Sequence, residues 1–426
     1  MTNLSRRSLL SLAAALPLAS LGRGIISRSD DAFLEDISRR AFRYFWEQSD
    51  ANTGLVLDRA RADGAGITGR NLEVASMALT GFALTAMCIA SERRWMSSAQ
   101  IRERVRAALR HLTHRQEHVR GWYYHFVNRK TGERVWKSEL STIDTALLLA
   151  GVLTAQEYYA DDAEIPRLAS DLYRRVDFAW LLDSQTGLLH MGWSPEKGLL
   201  RAEWAAYDEE MILYLLAIGS PEFPIPVSAW YRFRRDPMNL FGYRFVGRGP
   251  LFTHQYSQAW LRLRGLRDGA PFGIDYFQNS AVATYAHRAY CLSLRGYYPD
   301  YSPRLWGVTA SDSDIGYVVW GGPLSRGDLD GTVVPCAAGG SLMFAPEICL
   351  PVLRYAHDRF APYVYGRYGF ADAFNPRTLW VDTEVVGINL GITLLSAENL
   401  RSGAVWRWFS RSPNIRRTVG QVFRRC

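Results

Sequence analysis

The sequence predicts an all-α fold: two concentric rings of helices, an α/α toroid or barrel, with short β-hairpins in the loops that build a cleft at one end. Two observations carry this. Segments apolar on every side alternate along the chain with amphipathic segments, and strand-like text is confined to short pieces. A helix without a polar face has to be buried all round, whereas one with a polar face lies on the outside.

Taken in order, Phe33, Leu34, Ile37, Ala41 and Phe45 recur at helical spacing. Residues 74–90 are apolar or small almost throughout, and 99–113 place Ile101, Val105, Ala108, Leu109 and Leu112 on one face against arginines on the other. The alternation repeats with a buried segment at 145–159 and an amphipathic one at 164–181. Further helices are expected near 209–218, 254–264, 274–294, 342–358 and 387–402. Trp122–Val127, Gly132–Val135 and Tyr317–Trp320 read as hairpins or loop edges. Segments 219–252 and 296–341, rich in Gly, Pro and aromatics, are the expected cleft loops. No tandem repeat is evident.

The 426 residues are 48% hydrophobic and 22% charged, which places the chain among soluble globular proteins rather than disordered ones. Its net charge of +8 lies at the ends. Arg6, Arg7 and Arg23 precede the body, and a basic C-terminal segment carries Arg401, Arg407, Arg411, Arg416, Arg417, Arg424 and Arg425 without an acid. No groove of interleaved basic and aromatic residues is present, so nucleic acid is not an expected partner.

Ser5-Arg6-Arg7-Ser8-Leu9-Leu10 fits the twin-arginine export pattern, and the apolar stretch Leu9–Leu21 falls short of the roughly 20 residues that span a bilayer. Residues 1–24 are therefore expected to be a cleaved signal, leaving a periplasmic protein without a stable membrane anchor. Residues 30–418 form the expected catalytic domain and 419–426 a basic tail. The five cysteines include no C-x-x-C pair; a Cys336–Cys349 disulfide is open, and the odd count argues against a disulfide framework. No metal site and no cofactor are expected.

Chemistry is concentrated where carboxylates and aromatic rings meet at helix entrances. Trp136, Glu139 and Asp144 lead into the buried segment at 145–159, and Trp204, Tyr207, Asp208, Glu209 and Glu210 lead into Met211–Ile218. A third region joins Asp372, Asn375-Pro376, Trp380, Asp382 and Glu384 ahead of a helix near Gly387. Carboxylates serve as acid and base in sugar cleavage, and rings offer flat faces on which sugars stack. Ser141 and Asp144 also fit a capping box, and acids in a first helical turn are stabilised by its dipole, so a purely structural role stays open for them. Glu209 and Glu210 point about 100° apart and cannot share one role. Asp312, His254 and Gln255 are candidate contacts for sugar hydroxyls. Asp328-Leu-Asp330-Gly331 lacks the glycine and glutamate positions of a calcium loop. No G-x-S-x-G, H-E-x-x-H, P-loop or dinucleotide fingerprint is present.

Six stretches, Trp136–Gly151, Tyr207–Pro221, His254–Ser257, Ala337–Glu347, Tyr368–Pro376 and Glu398–Gly403, together resemble the bacterial glycoamylase-like domain family over residues 32 to 418. The resemblance implies an (α/α)6 barrel and action on glucans, with relatives that cut β-1,2-glucan and a transglycosylase among the related domains. It places Glu139, Asp144, Glu209 and Asp382 on the family's acidic cleft positions and favours Glu209 over Glu210. Leu390 departs from the family's polar residue at a presumed subsite.

The expected function is a monomeric periplasmic glycoside hydrolase that cuts β-linked glucan, β-1,2-glucan first, by two-carboxylate catalysis. Glu209 is the expected acid, Asp382 or Asp144 its partner, and Trp122, Trp136, Trp204 and Trp380 the sugar platforms. A transglycosylase on the same residues and a non-catalytic glucan-binding protein are the alternatives.

Overall fold

The computed structural model describes residues 26–320 and 329–426. The twin-arginine segment lies outside them. The described residues form thirteen α-helices with short two- to four-residue strands between them. In chain order the helices are α1 (Arg28–Glu47), α2 (Met77–Glu92), α3 (Ser98–His114), α4 (Thr142–Tyr158), α5 (Ile165–Arg174), α6 (Met211–Gly219) and α7 (Phe252–Trp260). They continue with α8 (Tyr276–Ser293), α9 (Pro335–Gly339), α10 (Pro346–Val364), α11 (Gly387–Arg401), α12 (Ala404–Phe409) and α13 (Pro413–Val422).

Burial separates them as the alternation predicts. Every residue of α2 except Glu92 is buried, every residue of α6 is, and α4 is buried from Thr142 to Ala155. By contrast, α1, α3 and α5 bury one stripe each, such as Ile101, Val105, Ala108, Leu109 and Leu112 of α3. Five helices contact one another in turn and close on themselves: α2 on α4, α4 on α6, α6 on α7, α7 on α11 and α11 back on α2. The amphipathic α1 covers α2 and α11, α3 covers α2, α5 covers α4, and α13 covers α6. The backbones of α2 and α4 approach so closely that a Cβ on Gly151 would lie 2.0 Å from the Gly81 carbonyl. Glycine at both positions is what this contact demands. Among the described residues no helix is long and apolar enough to cross a membrane.

The chain does carry an internal repeat, at the level of loops. Asp50-Ala-Asn-Thr-Gly54, Asn128-Arg-Lys-Thr-Gly132 and Asp183-Ser-Gln-Thr-Gly187 follow α1, α3 and α5. In each, the first side chain accepts from the backbone N–H groups two and three residues on, at 2.7–3.1 Å. In each, the threonine hydroxyl accepts from the N–H two residues on, at 3.2 Å. A fourth copy, Asn375-Pro-Arg-Thr-Leu379, follows α10 with the same bonds, but Leu379 stands where the others have glycine and adopts φ 63°. Only five short positions recur, with different residues between them, so the repeat is inconspicuous as text.

Other expectations are corrected. The amphipathic segment 164–181 is α-helical only to Arg174; the Asp177 N–H is then taken by the Arg120 carbonyl at 3.0 Å, and a single 3-10 turn follows at Ala179–Leu181. Residues 419–426 are no free tail: they complete α13 and a strand, Phe423–Arg425, paired with Leu266–Asp268, and Val422 and Phe423 are buried. Cys336 and Cys349 are free thiols. The Pro237–Leu240 and Tyr243–Val246 hairpin packs against α8, so segment 219–252 meets the cleft only at its end, Phe252.

Candidate active site

A cleft of about 1010 Å³ opens where the N-terminal ends of α2, α4, α6, α7 and α11 converge. It lies at the top of the range of roughly 300–1,000 Å³ for small-molecule sites. Ser76, Asp144, Glu209, Phe252 and Ile388, at or beside those helix starts, line it. Helix N-termini carry partial positive charge, which favours acids at such a convergence. Short strands supply the rest of the wall. Arg59–Arg61 pairs with Glu384–Val386, and the hairpin Ala310–Ser313/Gly316–Val319 brings Asp312 and Tyr317 to the cleft.

Seven carboxylates line the cleft: Asp58, Glu139, Asp144, Glu209, Asp312, Asp382 and Glu384. Five of them share two cations. The Arg59 guanidinium lies 2.7 Å from Asp312, 3.3 Å from Glu384 and 3.6 Å from Asp58. His125 places Nδ1 3.0 Å from Glu139 and Nε2 3.5 Å from Asp144. Glu209 and Asp382 have no cation partner among the described residues. Among the described residues the Asp382 carboxyl accepts one hydrogen bond, to Oδ1 from the Glu384 N–H at 2.9 Å, and its Oδ2 is buried without a partner.

Protonation follows from this division. Burial, then repulsion from Asp208, Asp144 and Glu210, raises the Glu209 pKa well above the usual carboxylic range. Burial raises Asp382 to about 8, opposed by the Glu384 N–H and reinforced by Asp372, Asp312 and Glu384. The hydrogen bond from His125 chiefly holds Glu139 below its ordinary value. Burial would lower His125, but Asp144, Glu139 and Asp58 together raise it to about 9.

The backbone places each acid for a local reason. Ser141 caps α4, accepting from the Asp144 N–H at 3.2 Å, and its hydroxyl donates to the Asp144 carboxylate. Asp144 is thus both a capping partner and a cleft residue. Glu209 sits in the turn before α6, where the Ser257 hydroxyl donates to its carbonyl at 2.6 Å and accepts from the Ile212 N–H at 2.9 Å. Glu210 turns inward, fully buried, and accepts from the Asp208 N–H at 2.7 Å.

Of the residues singled out from the sequence, Glu139, Asp144, Glu209, Asp312, Asp382, Trp136, Trp204 and Trp380 line the cleft. Trp136 is 43% exposed, adopts φ 55°, and carries the Arg70 guanidinium over its face at 5.0 Å. Four residues are not there. Trp122 is enclosed in the core, where it donates to the Asp177 carbonyl and packs edge-on against Phe178 in the loop after α5. Tyr207 is buried, stacked on Tyr276 and bonded to His254 at 3.2 Å. His254 is buried beneath it, and Gln255 ties α7 to Ala337 and Ser341 at 3.0 and 2.8 Å. In that motif it is Tyr256 that reaches the cleft. Leu390 also lies outside the lining, buried in the core, whereas Ile388 lines it. Arg59, His125 and Asp58 escaped sequence reasoning. The period-two text around His125 signalled a strand, but nothing in it indicated two carboxylate partners.

Among the described residues, side chains able to share a metal ion are Asp183, His190 and Glu203, with donor atoms within 4.8 Å of one another, outside the cleft lining.

The Glycoamylase family model matches residues 201–413. An exo β-1,2-glucooligosaccharide sophorohydrolase (non-reducing end) of Parabacteroides distasonis is 26% identical over 432 residues, covering 92% of this chain and 58% of that protein. The chain thus spans less than two thirds of that relative. The endo-β-1,2-glucanase of Chitinophaga pinensis, solved with sophorotriose and glucose, superposes with a TM-score of 0.86 at 26% identity, over 93% of this chain and 99% of that one. The endo-β-1,2-glucanase of Talaromyces funiculosus, solved with sophorose, shares the fold with a TM-score of 0.68 at 10% identity, over 92% and 87% of the two chains.

Proposed function

From the premise that the chain belongs to the Glycoamylase family, we propose that it is a glycoside hydrolase that cleaves β-1,2-linked glucan, with Glu209 as general acid and Asp382 as its carboxylate partner. The observation that carries the assignment is the pairing of the cleft charges. Arg59 and His125 occupy five of the seven carboxylates, and Glu209 and Asp382 are the two without a cation.

In this reading Glu209 holds its proton because its surroundings disfavour the anion, and it delivers that proton to the glycosidic oxygen as the bond breaks. Asp382, once ionised, takes a proton from the water that attacks the anomeric carbon. Trp136, Trp204 and Trp380 present rings to sugar faces, and Asp312, Glu139 and Asp144 accept from hydroxyls. The buried helices that contact in chain order, and close from α11 back onto α2, support an (α/α)6 barrel with the cleft at one mouth. Ser5-Arg6-Arg7 supports export to the periplasm by the twin-arginine route.

The test is a product assay on linear β-1,2-, β-1,3-, β-1,4- and α-1,4-glucans, resolved by chromatography. Short oligosaccharides from β-1,2-glucan alone, lost in Glu209→Gln, are expected. Products only from another glucan would replace the linkage. Chains of altered length without new reducing ends would make the protein a transglycosylase, and silence on every glucan would sink the hydrolase reading.

A further inference from the structure

We infer that His125 is a positioning residue of the proposed hydrolase: as an imidazolium, its ring bridges Glu139 and Asp144 and holds both side chains in the cleft that they share with Glu209. The inference rests on the reading of the protein as a glycoside hydrolase.

The geometry comes from three elements. His125 immediately precedes the strand Phe126–Asn128, and its backbone N–H donates to the Glu139 carbonyl at 2.9 Å. Its ring lies flat on Phe126, with centroids 3.8 Å apart and planes 16° from parallel. Phe126 in turn packs on Trp136 at 5.1 Å. Held this way, the ring aims Nδ1 at Glu139, 3.0 Å away, and Nε2 toward Asp144, 3.5 Å away. Both nitrogens thus face carboxylates, an arrangement that an imidazolium with two N–H donors satisfies and a neutral ring does not.

The charged groups facing His125 are Glu139 ahead of α4, Asp144 on α4 and Asp58 beside the Arg59–Arg61 strand. Those facing Glu209 are Asp208, Asp144 and Glu210. Asp144 belongs to both sets, so it links them. A positive ring between Glu139 and Asp144 offsets their charge in the cleft they share with Glu209, and its two nitrogens fix where those carboxyls sit, without touching the bond to be cleaved.

In His125→Gln the two carboxyls lose the cation they share, so kcat on β-1,2-glucan should fall about tenfold or more with KM changing less, while the melting temperature at acid pH stays near that of the unmutated protein. A merely structural loss would lower the melting temperature and move KM together with kcat.

A measurement on the unmutated protein needs neither substrate nor variant. In a ¹⁵N-histidine spectrum, His125 should keep both ring nitrogens protonated at about pH 7.5, well above the ordinary midpoint of about 6.5, and Glu139→Gln should lower that midpoint. A His125 already neutral at that pH overturns the inference, as does a folded His125→Gln variant with unchanged kcat. If the unmutated protein cleaves no glucan, the proposed function fails, while the histidine signal still reports whether the bridge exists.

Discussion

The Arg59 guanidinium bonds to the Asp312 carboxylate at 2.7 Å and fastens the Ala310–Ser313/Gly316–Val319 hairpin to the Arg59–Arg61 strand in the lining of the cleft. The same group reaches Glu384 and Asp58, so one cation offsets three buried or half-buried acids. Truncating it leaves uncompensated charge in a poorly solvated place. Arg59→Met should cost about 3 kcal/mol in denaturant unfolding, and a double-mutant cycle with Asp312→Asn should return a coupling of about 1 kcal/mol or more. Additive effects would mean that the ion pair does not hold the hairpin.

Glu209→Gln and Asp382→Asn should each lower kcat by about 10²–10⁴-fold, the usual contribution of general acid–base catalysis. Calorimetric binding of a β-1,2-glucooligosaccharide should persist in both. The base must be ionised and the acid protonated, so the rate rises with pH as Asp382 loses its proton and falls as Glu209 does. Because burial raises Asp382 toward about 8, the acid limb should lie above the ordinary carboxylate range near about 4. An acid limb at that ordinary value would transfer the base role to Asp144.

Stability should fall as pH rises through neutrality. Glu210, raised to about 8 by burial and Asp208, and Asp382 bind protons in the folded state that the unfolded chain releases near about 4. Their contribution is complete below that value and is lost as pH climbs through about 8. His125, raised to about 9, loses its contribution in the same direction above about 6.5. The melting temperature should therefore drop between about pH 6.5 and 9, and Glu210→Gln should flatten the drop. A flat wild-type profile over that interval would contradict these assignments.

Leu379→Gly should stabilise the protein by about 0.5–1 kcal/mol, since a left-handed backbone costs a branched side chain about 1–2 kcal/mol and glycine returns part of that through chain entropy. Leu379 is 82% exposed at φ 63°, while its counterparts Gly54, Gly132 and Gly187 sit at φ 69°, 76° and 70°. Equilibrium unfolding of the variant is the check; a loss of stability would show that Leu379 makes an apolar contact worth more than its strain.

Several helices were legible because one-dimensional spacing encodes which faces are dry. The all-round apolar text of 74–90 and 145–159 has one stable outcome, burial, and α2 and α4 are buried nearly throughout. The helices α12 and α13 lie in the arginine-rich stretch after residue 401, whose charge masks their amphipathic pattern, yet Val405, Trp406, Trp408, Phe409 and Ile415 supply a buried face. Among the acids, the angular offset between Glu209 and Glu210 was visible in the sequence, and one faces the cleft while the other is enclosed.

Residues a few positions apart already encode the buried helices and the gathering of carboxylates with aromatics at helix entrances. Which of those carboxylates are neutralised is set only by the folded chain. Asp312 meets Arg59 across 253 positions, and Trp122 and Gln255 are claimed by the core rather than by the cleft. Charge pairing depends on distances of a few ångströms between segments remote in sequence, and folding alone sets those distances.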